Sequence, residues 1–115
     1  MTKEEIIEIE KDAVETYGAA AQLRMLQEEC GELIVAIGHY LRGRDGSKDN
    51  LCEELADVSI MVEQIEIVLG NAAIEEYRDN KLQRLKRRLE EHKASDDPQK
   101  KRDYGKKENG RTSRR

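Results

Sequence analysis

Apolar residues recur at helical spacing along most of the chain. Leu26, Cys30, Leu33, Ile37 and Leu41 form one stripe at about 100° per residue, and Leu51, Leu55, Val58, Val62, Ile65 and Leu69 form a second. Ile74, Leu82, Leu85 and Leu89 form a sparser spine further on. Local punctuation sets the ends of the elements. Thr2 followed by Glu5 makes a capping box for a first helix that runs to about Tyr17, where Gly18 offers a stop. A second helix is predicted from Ala19 to Arg42, ending in the polar loop RGRDGSKD. Asn50 with Glu53 reads as a capping-box-like start for a third, which reaches Leu69 and stops at Gly70 and Asn71. A fourth runs from about Ala72 into LEEHKA, before Asp96, Asp97 and Pro98 end it. The pattern predicts an all-α four-helix bundle over residues 1–95.

Composition agrees with that architecture. One Pro and no Trp or Phe argue against a β sandwich or an aromatic-lined groove. The net charge of −4 hides an asymmetry, since residues 99–115 hold eight Lys or Arg against two acids and the rest holds thirteen against twenty-three. An acidic body repels nucleic acid and membrane surfaces, so a polyanionic ligand would have to arrive with metal ions. The basic tail, residues 96–115, lacks apolar periodicity and is expected to be disordered, a solubilising extension or else an arm for nucleic acid or a partner. Cys30 and Cys52 lie inside apolar helical patterns, which suggests buried, reduced thiols. The acidic start MTKEEIIEIEK is unlike a signal peptide, and no apolar run approaches the roughly 20 residues of a membrane span, so a cytoplasmic setting is expected. The stretch VSIMVEQIEIVL is apolar on nearly every face, more than one small core covers, and predicts a homo-oligomer, either dimer or tetramer.

Candidate chemistry lies in two acidic pairs. Glu29 and Glu32 in QEECGEL, and Glu54 and Asp57 in CEELADV, each have the i, i+3 spacing of one helical face, and both pairs flank an apolar seam. Taken singly, either pair reads as solvated surface acid. Each is also preceded by a further acid, Glu28 or Glu53, and two such helices side by side would converge four carboxylates. Oxygen donors without His or Cys select Mg²⁺ or Mn²⁺ over zinc or copper. Neither His39 nor His92 has a Glu three residues before it, which argues against a di-iron bundle. Gly31 and Gly38 inside the second helix cost about 1 kcal/mol each relative to Ala, which a close helix approach would explain.

EECGELIVAI, a Gly-rich loop and then NLCEELADVSIMV resemble the EExxE and ExxD signature of the MazG-like all-α nucleotide pyrophosphohydrolases. The likeness covers roughly residues 20 to 70, with a fainter one in YRDNKLQRLKRR on the fourth helix. It implies that Glu29, Glu32, Glu54 and Asp57 ligate Mg²⁺, with Glu28 and Glu53 supporting the site or orienting water. It further implies a role contacting metal or phosphate for Asp79 and Lys81, with Asn80 as an alternative in that register. Lys81, Arg84 and Arg88 would complete a clamp on the phosphates, or else form a solvated basic face with Glu90 and Glu91.

The activity implied is Mg²⁺-dependent cleavage of a nucleoside or deoxynucleoside triphosphate to monophosphate and pyrophosphate, a housecleaning type of reaction. Gln22, two turns before Glu29, offers a contact to base or sugar, while His39 and Arg42 sit at the end of the second helix as pocket or capping residues. A non-enzymatic helical interaction module, using the apolar third helix as its interface, is the alternative from a different class. Nucleic-acid binding through the tail ranks below both.

Overall fold

The computed structural model describes residues 1–95. The expectation for the tail, residues 96–115, lies outside them. The described residues are all-α, with four helices, α1 (Lys3–Tyr17), α2 (Ala19–Leu41), α3 (Ser47–Leu69) and α4 (Asn71–Ala94), and no strand. The chain divides into two compact units, Met1–Asn71 and the remainder from Ala72.

The first helix starts as its sequence dictates. The Glu5 backbone N–H donates to Thr2 Oγ1 at 3.1 Å and the Thr2 N–H donates to Glu5 Oε2 at 3.4 Å, closing the capping box. Gly18 alone separates α1 from α2. Its φ of 91° is a value that only glycine adopts without strain, and its N–H closes α1 on the Val14 carbonyl. Gly70 plays the same part between α3 and α4, at φ 84°.

Within the first unit α2 packs most extensively on α3, and α1 touches both. The short connection 42–46 makes α2 and α3 antiparallel neighbours. Ala36, Met61 and Ile65 are the buried apolar residues, and Gln22, Gln64, Ser47 and Glu10 are buried with them. The Gln22 Nε2–H group donates to Gln64 Oε1 at 2.6 Å, bridging α2 and α3. Ala36 has no exposed surface.

Several expectations are corrected. The third helix begins at Ser47 rather than Asn50, capped by Gly46 in the left-handed region, so no Asn50–Glu53 box forms. Its extra turn follows from Gly46, which reverses the chain four residues earlier than the side-chain signal at Asn50. Cys30 and Cys52 are free but exposed rather than buried. A Cβ built on Gly31 meets nothing within 4 Å, and one on Gly38 meets only the Arg42 side chain, so close helix approach explains neither glycine. The apolar stripes are only partly covered, with Leu41 79% exposed, Leu55 51% and Leu69 69%.

The fourth helix is described by itself. No residue between Asn71 and Ala94 is buried, and Tyr77, Leu82, Leu85 and Leu89 are exposed. Arg78 pairs with Glu75 one turn away, and Gln83 Nε2–H donates to Asp79 Oδ2 at 2.9 Å.

Candidate metal centre

The α2/α3 pairing decides where the acids fall. Gln22 and Gln64 meet across the seam, and Glu29, seven residues after Gln22, and Asp57, seven before Gln64, lie two turns or about 10 Å away in the same antiparallel register. Oxygen atoms of Glu29, Glu54 and Asp57 come within 4.8 Å of one another. Three of the four predicted ligands therefore converge. Glu32 stands outside that trio, but its charge acts more strongly than any other on both Glu29 and Glu54.

Electrostatics record the crowding. Glu29 and Glu54 are half-buried, and the Oε2 atom of each is shut off from solvent with no hydrogen-bond partner. Local desolvation, followed by the Glu32 and Asp57 charges, contact with the Glu32 carboxyl and the Glu54 charge, pushes the Glu29 carboxyl up to about 7. Desolvation and then the Glu32 charge raise Glu54 as well, opposed in part by the neighbouring Glu29 carboxyl. Such an arrangement is costly for the free chain and favourable around a cation.

The donor set fits a hard divalent ion. Mg²⁺ takes oxygen ligands at about 2.1 Å in an octahedron, which sets neighbouring oxygens about 3 Å apart and opposite ones about 4 Å apart. A trio within 4.8 Å reaches that geometry with small side-chain adjustments, and the two orphaned Oε2 atoms supply lone pairs that nothing else uses. Among the described residues no other group of three acids, histidines or cysteines comes together in this way.

An open groove of about 510 Å³ runs beside the cluster, lined by Glu28, Gly31, Glu32, Val35, Asn50 and Glu54. It is of the size that takes a small-molecule ligand. Glu28 is thus placed at the groove, whereas Glu53 is exposed and does not line it. Asp79, Lys81 and Arg84 lie on α4, where Lys81 and Arg84 share a shallow hollow with Tyr77, Asn80 and Arg87.

The family model for the MazG nucleotide pyrophosphohydrolase domain matches residues 18–91. The chain belongs to this family. No curated protein and no solved structure matches it. The matched span of this MazG domain takes in α2, α3 and most of α4, and so includes every acid of the cluster.

Some residues of the MazG domain were not singled out from the sequence. Asn50 was read as a helix cap but lines the groove. Gln64 was passed over although it stands seven residues after Asp57, the spacing that places Gln22 before Glu29, so the pairing was open to detection. Outside the matched span, Glu10 was also missed, though it follows Ile6 and Ile7 at i+4 and i+3 and so falls on the apolar face of α1.

Proposed function

We propose that this MazG domain is a Mg²⁺-dependent nucleoside triphosphate pyrophosphohydrolase, with Mn²⁺ able to substitute, that cleaves a nucleoside or deoxynucleoside triphosphate to the monophosphate and pyrophosphate. The convergence of Glu29, Glu54 and Asp57 beside an open groove carries the reading. Those three would hold the ion, with Glu32 completing the set or bridging to a second. When bound, Mg²⁺ supplies charge neutralisation for the phosphate chain and Lewis acidity.

The chain's own residues supply the rest. Attack by water on the α-phosphorus breaks the bond to the bridging oxygen and releases pyrophosphate, and a base must accept the water's proton. Glu28, on the groove and outside the metal trio, is the candidate for that role, and Glu53, which does not line the groove, is the weaker one. Asp79, Lys81 and Arg84 are the candidate phosphate contacts on α4. Val35 offers an apolar surface to the nucleoside, and Asn50 a polar one.

Apolar side chains left exposed on α2 and α3, Ile34 and Val35 among them, support assembly into a dimer or tetramer. No described helix is long and apolar enough to cross a membrane. A cytoplasmic setting suits a triphosphate substrate.

The test is a screen of the purified protein with common triphosphates and Mg²⁺, reading pyrophosphate and orthophosphate separately. Pyrophosphate release is expected, with loss in Asp57→Asn. Orthophosphate alone, or no turnover on any triphosphate, would overturn the proposal. The rival reading, a helical interaction module, is favoured by the same exposed apolar faces. It predicts no carboxylate-dependent Mg²⁺ binding in calorimetry.

A further inference from the structure

A second groove, of about 580 Å³, lies between α1 and α3, with Ile6, Ile7, Glu10, Glu63 and Ile67 among its lining residues. Glu10 is only 4% exposed, and its Oε2 atom has no hydrogen-bond partner. A buried carboxylate oxygen without a partner is rare, because an ion removed from water must be paired to be tolerated. Burial, followed by the charges of Glu63 and Glu66 on α3, pushes the Glu10 carboxyl above its ordinary range. Lys3 and Lys11 also line the groove, yet neither hydrogen-bonds that oxygen.

We propose that this groove binds a small organic cation, an alkylammonium or guanidinium group on a short hydrocarbon stem, with Glu10 as its anionic anchor. Geometry distinguishes this ligand from a metal ion. The carboxylates of Glu10, Glu63 and Glu66 do not gather within 4.8 Å as the Glu29 trio does, so a bare divalent ion would lack ligands. A guanidinium spreads several N–H donors over a wider fork and can engage Glu10 and Glu63 together. The stem would lie on Ile6, Ile7 and Ile67, which make the groove apolar around its charge.

The test uses the full chain in excess MgCl₂, so that any response of the α2/α3 acids stays constant. n-Butylguanidinium chloride is titrated against NaCl and tetramethylammonium chloride at matched ionic strength, following backbone amide NMR shifts. Saturable shifts are expected at Ile6, Ile7, Glu63 and Ile67 with butylguanidinium only. In Glu10→Gln, which removes a buried unpaired charge and so should fold at least as well, affinity should fall fivefold or more. Glu63→Gln should lower it about twofold.

Absence of saturation, an undiminished response in Glu10→Gln, or an equal response to tetramethylammonium would each overturn the proposal. So would a Glu10-dependent change in the solution mass of the free protein with no response to the cation, which would assign the groove to a basic side chain of a second copy.

Discussion

Metal binding at the α2/α3 acids should release a proton near neutral pH, and the release should be traceable to Glu29. Its carboxyl is raised to about 7, so in the free chain it carries about 0.9 proton at pH 6, about 0.5 at pH 7 and about 0.1 at pH 8. A metal ligand must be ionised, so Mg²⁺ has to displace that fraction. This group alone then weakens apparent affinity about tenfold between pH 8 and pH 6, and the raised Glu54 acts in the same direction towards lower pH. Calorimetric titration with Mg²⁺, repeated in buffers of different ionisation heat, counts the protons directly. Glu29→Gln should abolish most of the release and weaken binding even at pH 8. A proton count near zero at pH 6 with undiminished affinity would refute the reasoning, as would the same count in Glu29→Gln.

The remaining predictions concern stability and the other ligands. Without metal, Glu29 and Glu54 hold protons in the folded chain at pH values where the unfolded chain, at 4.5, has lost them. The Glu29 contribution is therefore fully present below about 4.5 and is lost as pH rises through about 7, with Glu54 acting in the same direction, so thermal melts of the metal-free protein should fall over that window and recover with Mg²⁺. Glu32→Gln should lower metal affinity and turnover tenfold or more while leaving the far-ultraviolet dichroism unchanged. Gln22→Leu strands the buried Gln64 carbonyl and should cost about 1 to 3 kcal/mol in urea unfolding, whereas Gln22→Leu with Gln64→Leu should recover most of that loss. Met61→Ala, at one of the few buried apolar positions, should cost about 2 to 5 kcal/mol in the same assay.

Much of this was legible in the chain because helices announce themselves locally. The Thr2–Glu5 box, Gly18 and Gly70 each act within one turn of the backbone they control, and each falls where the pattern put it. The pairing of Glu29 with Glu54 and Asp57 was legible too, since an i, i+3 spacing beside an apolar seam survives small errors in helix ends. Burial was less legible. Cys30 lies on the stripe with Leu26 and Leu33, yet it is exposed, because a stripe states which face is apolar and not how far a neighbour covers it. The start of α3 was misplaced for a related reason: a left-handed glycine acts through its backbone and leaves only a weak mark in residue type. Glu10 shows the opposite failure, a charged residue that carries no sign of burial in its type yet is almost wholly buried.

The two buried amides explain how so thin a core can hold so demanding a site. With Ala36, Met61 and Ile65 as its buried apolar residues, the first unit has little jigsaw packing to fix how α2 slides on α3. Apolar contact is roughly indifferent to a shift of one turn, because one aliphatic side chain replaces another. The Gln22–Gln64 hydrogen bond is not, since a shift would leave two amides buried without partners. That matters most two turns away, where Glu29, Glu54 and Asp57 repel one another and would relax apart if the helices could slip. A directional polar contact, rather than a large apolar one, thus keeps like charges together in the free chain. The repulsion it holds in place is relieved when a cation arrives.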